Sequence, residues 1–164
     1  MGYIVAIDTS GNWKYIACVV TRVAPRIVVR PHIASLNRKV RKKVIDVILS
    51  FIASNGYALC SYVNLCVRVR SYKGTANKHS VWRSLLKFEL SRVVNHLRDK
   101  GYWPIYAVYV DREFELFRSV VESIFQTNTV IIGKNEYVLL ADVVGYVNLR
   151  EKKLLKKYRN IVEL

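Results

Sequence analysis

Apolar residues recur along this chain at two different periods, and the changes of period mark out its elements. Residues 3–9 are apolar on both faces until Asp8, the pattern of a strand buried centrally in a sheet. Ser10-Gly11-Asn12 reads as a turn, and the strand expected over 13–23 follows so closely that an antiparallel hairpin is predicted. Ala24-Pro25 ends it, and residues 26–33 read as a third, edge-like strand. Residues 36–54 predict an amphipathic helix with Val40, Val44, Val47, Ile48 and Phe51 on one face, closed by Asn55-Gly56. Leu59, Val63, Leu65, Val67 and Val69 alternate with polar positions, predicting a half-buried strand over 57–70. A basic loop, 71–78, leads to a helix expected over 79–100 and stopped by Gly101. Then come an apolar strand (103–111), a helix (112–126), a short strand (129–132), an apolar helix (136–148) and a basic amphipathic helix (150–164).

An antiparallel meander followed by strands alternating with helices predicts an α/β fold: a mixed sheet with helices on its faces and right-handed parallel crossovers. The 164 residues hold no internal repeat and no Pro/Gly/Ser linker. We therefore expect one domain over residues 1–149, with a helical insertion at about 25–56, and an appended basic helix over 150–164.

Charge changes the picture most. Lys and Arg number 27 against 12 Asp and Glu, a formal net charge of +15, and such a field attracts polyanions. Nucleic acid is the expected partner, with an acidic membrane surface or no polyanion at all as the alternatives. Three cysteines form neither a disulfide framework nor a zinc pattern, which points to a reducing compartment. The opening Met1-Gly2-Tyr3 lacks the basic region of a signal peptide, and no apolar run reaches the roughly 18 residues of a membrane span, so a cytoplasmic location is expected. Abundant Tyr, Val, Lys and Arg with a single Gln lean towards a thermophile's composition.

Four of the few carboxylates stand in apolar surroundings. Asp8 follows Ile4-Val5-Ala6-Ile7, where an unpaired carboxylate costs several kcal/mol; the alternative is a residue that caps the following turn. Asp111 ends the strand Ile105 to Val110, at the edge that lines ligand crevices in open α/β sheets, or else it caps the next helix. Glu89 falls within the stripe Trp82, Leu85, Leu86, Val93 and Leu97, and needs a cation or an internal Arg or Lys partner. Asp142 is the only charge between Glu136 and Arg150, either a site residue or one tolerated polar group on a buried helix. Asp46, opposite the apolar face of its helix, reads as solvated.

Carboxylates crowded together repel and persist where a cation neutralises them. An oxygen-only set with open positions suits Mg²⁺ or Mn²⁺, and two such ions about 3.5–4 Å apart promote phosphodiester cleavage. Asp8, Glu89, Asp111 and Asp142 are thus the candidate catalytic and metal-ligating residues, and no small-molecule cofactor is expected. His32, His79 and His96 show no ligand spacing.

The opening Ile7-Asp8-Thr9-Ser10-Gly11, with an antiparallel strand after it, resembles ribonuclease H-like proteins, in particular uncharacterised nucleases that begin strand-Asp-x-Ser-Gly. Those also carry a later strand ending in Asp and an Ala-Asp pair on the last core helix, which Val108-Tyr109-Val110-Asp111 and Leu140-Ala141-Asp142-Val143 match. Glu89 falls where such folds place a helical Glu. The resemblance spans about residues 3–148 and implies a two-metal nuclease. Residues 26–54 and the tail after Arg150 depart from it. The PIN domain, a second nuclease family, also opens on a strand ending Asp-Thr-Ser but follows it with a helix, and it orders its Ala-Asp helix and later Asp the other way round.

Candidate nucleic-acid contacts are Arg38, Lys39, Arg41, Lys42 and Lys43, crowded at a helix N-terminus against the macrodipole, and Arg68, Arg70, Lys73, Lys78 and Arg83 around the basic loop. They would position the backbone. Tyr62, Tyr72 and Trp82 are candidates for base stacking, with core packing the alternative for Trp82. The tail fits a nucleic-acid backbone, an anionic membrane or a second copy in a homodimer. The nuclease reading stands beside two others: nucleic-acid binding without catalysis on the same scaffold, and a structural protein docking through its tail.

Overall fold

The structure is a computed structural model that describes residues 2–27 and 32–164. Strand β1 (Tyr3–Ser10) sits at the middle of a six-stranded sheet. It pairs antiparallel with β2 (Tyr15–Thr21), and β2 pairs antiparallel with β3 (Gly56–Tyr62). On its other side β1 runs parallel to β4 (Ile105–Val110), which runs parallel to β5 (Val130–Ile132). The outer strand β6 (Ile161–Glu163) lies parallel to β3, giving the order β5-β4-β1-β2-β3-β6. The expected α/β mixed sheet, a meander followed by parallel strands, is what the chain forms.

Period-2 side chains send the strands' residues into two cores. Val5, Ile7, Ile16, Cys18, Val20 and Leu59 pack beneath α3 (Lys78–Asp99) and α4 (Arg118–Phe125). Ala6, Ala17, Val19, Ala58 and Cys60 face α1 (Arg38–Asn55) and α5 (Glu136–Arg150). Alanines on this second face leave room for α5 to lie close. Three of the helices begin at asparagines whose side chains accept from first-turn amides that lack an intrahelical partner: Asn37 from Val40, Asn77 from Ser80, and Asn135 from Tyr137 and Val138.

Four expectations change. The strand expected over 57–70 stops at Tyr62, because Asn64 adopts a left-handed φ of 46° and turns the chain into a short helix, α2 (Leu65–Arg70). Leu65 and Val69, four apart, form its buried face, a spacing that also satisfies strand parity. On α1 the buried stripe is Ile45, Ile48, Leu49 and Ile52, and Val47 faces out; α5 and β3 choose the face that carries the larger branched residues. The edge-like strand read over 26–33 falls partly on residues 28–31, outside the described ones; Arg26 and Ile27 are irregular and Ile33 opens a 3₁₀ turn, Ile33–Ser35.

The tail is not a helix. A 3₁₀ segment, Lys152–Lys157, is followed by β6. The open edge of β3 holds unpaired amides and carbonyls that an extended tail satisfies and a helix cannot. Asn160 fixes the register by donating to the carbonyls of Ile52 (2.6 Å) and Gly56 (2.7 Å). Lys152 pairs with Glu163 across the turn.

Candidate metal centre

Asp8 and Asp111 meet because their strands do. β1 and β4 are parallel with Ile7 opposite Val110, so the next residue of each stands at the same carboxyl end of the sheet. Asp8 shares the parity of Ala6 and therefore lies on the α5 side, where Asp142 projects from that helix. Gly145, one turn further on α5, is what lets the helix approach: a Cβ there would come within 3.3 Å of Ser10 Cβ and 3.5 Å of Ala17 Cβ.

Asp8 is 1% exposed. Its Oδ1 accepts the Thr9 amide at 2.8 Å, while Oδ2 has no partner among the described residues. Burial raises its pKa well above the usual carboxylate range, and the charges of Asp142, Asp111 and Glu113 push it further, against the Thr9 amide. Asp142 is raised too, mainly by burial, and is held back by the amide of Ile33 (2.9 Å to Oδ2) and by His32 (Nδ1 to Oδ1 3.4 Å). Asp111 is buried and makes no side-chain cap to the turn it precedes. Three carboxylates are thus gathered, and among the described residues the buried Oδ2 of Asp8 is left unpartnered.

Among the described residues, ligand atoms gather in two groups, each within 4.8 Å: Asp8, Asp111 and Glu113, and Asp8, His32 and Asp142. Asp8 belongs to both. The orphaned Oδ2 and the mutual repulsion are what a divalent cation would relieve, so this donor set fits one. Glu113 comes from the 3₁₀ turn Arg112–Phe117 and accepts a hydrogen bond from Thr9 Oγ1 at 2.6 Å. A small cleft over the site is lined by His32, Asp111, Lys134, Asn135 and Asp142, so Lys134 brings a cation to the rim.

Glu89 is buried, in keeping with its place in the apolar stripe, but it belongs to neither group. Helix α3 covers the face of the sheet opposite to Asp8 and α5. Both Glu89 oxygens are occupied, Oε1 by Arg68 (2.9 Å) and Oε2 by Arg92 (3.0 Å), which is the internal-pair alternative. Arg68 also donates to the Val63 carbonyl, tying α2 to α3.

Glu113, His32 and Lys134 escaped the sequence reading. Asp111-Arg112-Glu113 carries a spacing that flags Glu113, although charged Arg112 and Glu115 stand close to it in sequence. No local signal marks His32, which reaches Asp142 only through the fold.

The candidate basic residues lie on both sides of this centre. Ile33's bond to Asp142 ties the segment leading into α1 to the site, and Arg41 steadies that segment by donating to the Leu36 carbonyl (3.1 Å) and lying over the Tyr146 ring. Arg38, Lys39, Lys42 and Lys43 are exposed there. On the opposite face Trp13, just past β1, packs edge-on against Trp82 of α3, which brings the N-terminus of α3 to the same end of the sheet. Arg70, Lys73, Lys78 and Arg83 are exposed around it, with Lys78 donating to the Val69 carbonyl. Trp82 is thus a packing residue, whereas Tyr62 and Tyr72 are exposed. His79 stacks on Phe117.

Among solved structures, ribonuclease HII of Archaeoglobus fulgidus, in its complex with PCNA, is similar to this chain: TM-score 0.56 over 94% of this chain and 77% of that one, at 18% identity. The fold is ribonuclease H-like. No known family's sequence model matches the chain, and no curated protein matches it in sequence. None of the helices described is long and apolar enough to cross a membrane.

Proposed function

We propose that this chain is a metal-dependent nuclease that hydrolyses phosphodiester bonds of DNA or RNA, with Asp8, Asp111 and Asp142 as its central metal ligands. The observation that carries the reading is Asp8, buried with Oδ2 unpartnered among the described residues and shared by two groups of ligand atoms, on a ribonuclease H-like fold. Two groups sharing one carboxylate suit a pair of ions, Mg²⁺ or Mn²⁺. Such ions, when bound, activate water and stabilise the leaving oxygen. Glu113 takes the fourth carboxylate place that the sequence reading gave to Glu89, whose oxygens are already engaged.

The chain's own residues do the rest. Strands β1 and β4 fix Asp8 and Asp111 on rigid backbone, and the Thr9 and Ile33 amides orient Asp8 and Asp142. Lys134 at the rim, the exposed cations at the start of α1 and those of the 71–78 loop hold and position a phosphate backbone.

A panel of single-strand, duplex, hybrid, RNA and branched substrates with Mg²⁺, Mn²⁺ or EDTA tests this. We expect cutting that needs the metal and is lost in Asp8→Asn. Salt-sensitive binding that survives that substitution, with nothing cut under any condition, would replace the proposal with a non-catalytic binding role.

A further inference from the structure

The two groups around Asp8 differ in chemistry. Asp8, Asp111 and Glu113 offer oxygen alone; Asp8, His32 and Asp142 add an imidazole nitrogen. We propose that His32, delivered by the segment inserted between β2 and α1, makes the second position a mixed nitrogen–oxygen site that selects a divalent transition-metal ion over Mg²⁺. The inference rests on the metal-binding part of the function proposed above and assigns the class of ion that one of its positions takes.

Three observations carry it. Asp8, shared by both groups and 1% exposed, holds a buried Oδ2 with no partner among the described residues, so a ligand is called for independently of the clustering itself. His32 Nδ1 lies 3.4 Å from Asp142 Oδ1. Two donors about 2.1 Å from one ion stand roughly 3.0 Å apart when adjacent in an octahedron and about 4.2 Å when opposed, so this pair is spaced as neighbouring ligands. The inserted segment is also built to hold the imidazole in place. The Ile33 amide, one residue on, grips Asp142 Oδ2 and leaves Oδ1 facing His32, while the Ser35 amide (2.9 Å) and hydroxyl (2.7 Å) both donate to the His32 carbonyl.

Selectivity follows from donor type. Mg²⁺ is hard, keeps oxygen ligands and gives up water reluctantly. Imidazole strengthens binding of Mn²⁺ and, increasingly, of the divalent ions after it in the first transition row. The all-oxygen position gains nothing from His32 and admits either ion.

Mn²⁺ is the probe, added to the full chain stripped with EDTA and exchanged into nitrogen-free buffer. Pulsed EPR of the first equivalent bound should show ¹⁴N coupling from imidazole, and that coupled population should survive roughly a tenfold excess of Mg²⁺. His32→Gln, half-exposed and outside the core, should fold normally by circular dichroism, lose the ¹⁴N coupling and weaken Mn²⁺ by about tenfold, with Mg²⁺ affinity changed less than about twofold. Absence of ¹⁴N coupling in the unsubstituted protein, persistence of it in His32→Gln, or equal competition by Mg²⁺ would each overturn the inference. Asp8→Asn, shared by both positions, should abolish Mn²⁺ binding, and the cleavage panel separates the two ideas. Nitrogen-coupled Mn²⁺ in a protein that cuts no substrate would refute the nuclease reading while leaving this one standing.

Discussion

Gly145 lies against Ser10, and the contact brings α5, with Asp142 one turn earlier, onto the strand that carries Asp8. A Cβ at Gly145 would meet Ser10 Cβ at 3.3 Å and Ala17 Cβ at 3.5 Å, both close to rigid strand backbone, so the helix has little room to yield. Gly145→Val should therefore destabilise the protein by about 1–3 kcal/mol through overpacking. It should also weaken divalent-ion binding, because Asp142 moves away with α5. Denaturant unfolding and Mn²⁺ titration of the same variant check both effects; a stable variant with unchanged affinity would show that the close approach does not set the site.

Without metal, Asp8, Asp111 and Asp142 oppose one another in a buried place. Asp8→Asn removes one of the charges and should stabilise the EDTA-treated protein by on the order of 1 kcal/mol, a rise in Tm of roughly 2–4 °C. The ranking should reverse in millimolar Mg²⁺ or Mn²⁺, which stabilises the native carboxylates and not the variant. Thermal melts of both proteins, with and without the ion, give the four values needed.

Glu89 permits a sharper distinction. Its oxygens bind Arg68 and Arg92, whose side chains are themselves partly exposed. Truncating both arginines to alanine strands a buried carboxylate and should cost about 3–5 kcal/mol. Glu89→Gln leaves the arginines able to turn to water, should cost about 1–2 kcal/mol, and should leave the Mn²⁺-induced rise in Tm unchanged. Loss of the metal response in Glu89→Gln would return Glu89 to the site.

At the other end of α3, Tyr57 Oη and His96 Nε2 are 2.6 Å apart and their rings stack. Burial holds His96 below the ordinary histidine value of 6.5, helped by Lys100, so the folded protein keeps it neutral where the unfolded chain takes up a proton. The unfolded state thus binds more protons as pH falls below about 6.5, and stability declines over that window until the folded pKa is passed. Above it the contribution is complete. His96→Gln should flatten this part of the stability profile between pH 7 and pH 5, read from denaturant midpoints.

The sheet was legible because most of its strands are buried on two faces and read as nearly continuous apolar runs, and Asp8, Asp111 and Asp142 were conspicuous as charges interrupting such runs. What escaped depended on partners far along the chain. Residues 57–70 satisfy a strand's parity and a helical i,i+4 pair equally, and the left-handed Asn64 decides between them. Burial of Glu89 was visible in its stripe, but Arg68, 21 residues earlier, was not visible as its partner. In the tail, Leu154, Leu155, Tyr158 and Ile161 mimic a helical face, whereas the vacancy beside β3 that draws residues 161–163 into a strand is a property of the folded sheet. His32 lies 110 residues from Asp142, inside a stretch with no counterpart in the resemblance.

The most direct measurement is anomalous X-ray diffraction from crystals soaked in Mn²⁺. Two anomalous peaks are expected about 3.5–4 Å apart, one on either side of the Asp8 carboxylate, the first against Asp111 and Glu113 and the second against Asp142 and His32. Ions found only elsewhere on the surface, with Asp8 Oδ2 still bare at saturating Mn²⁺, would contradict it.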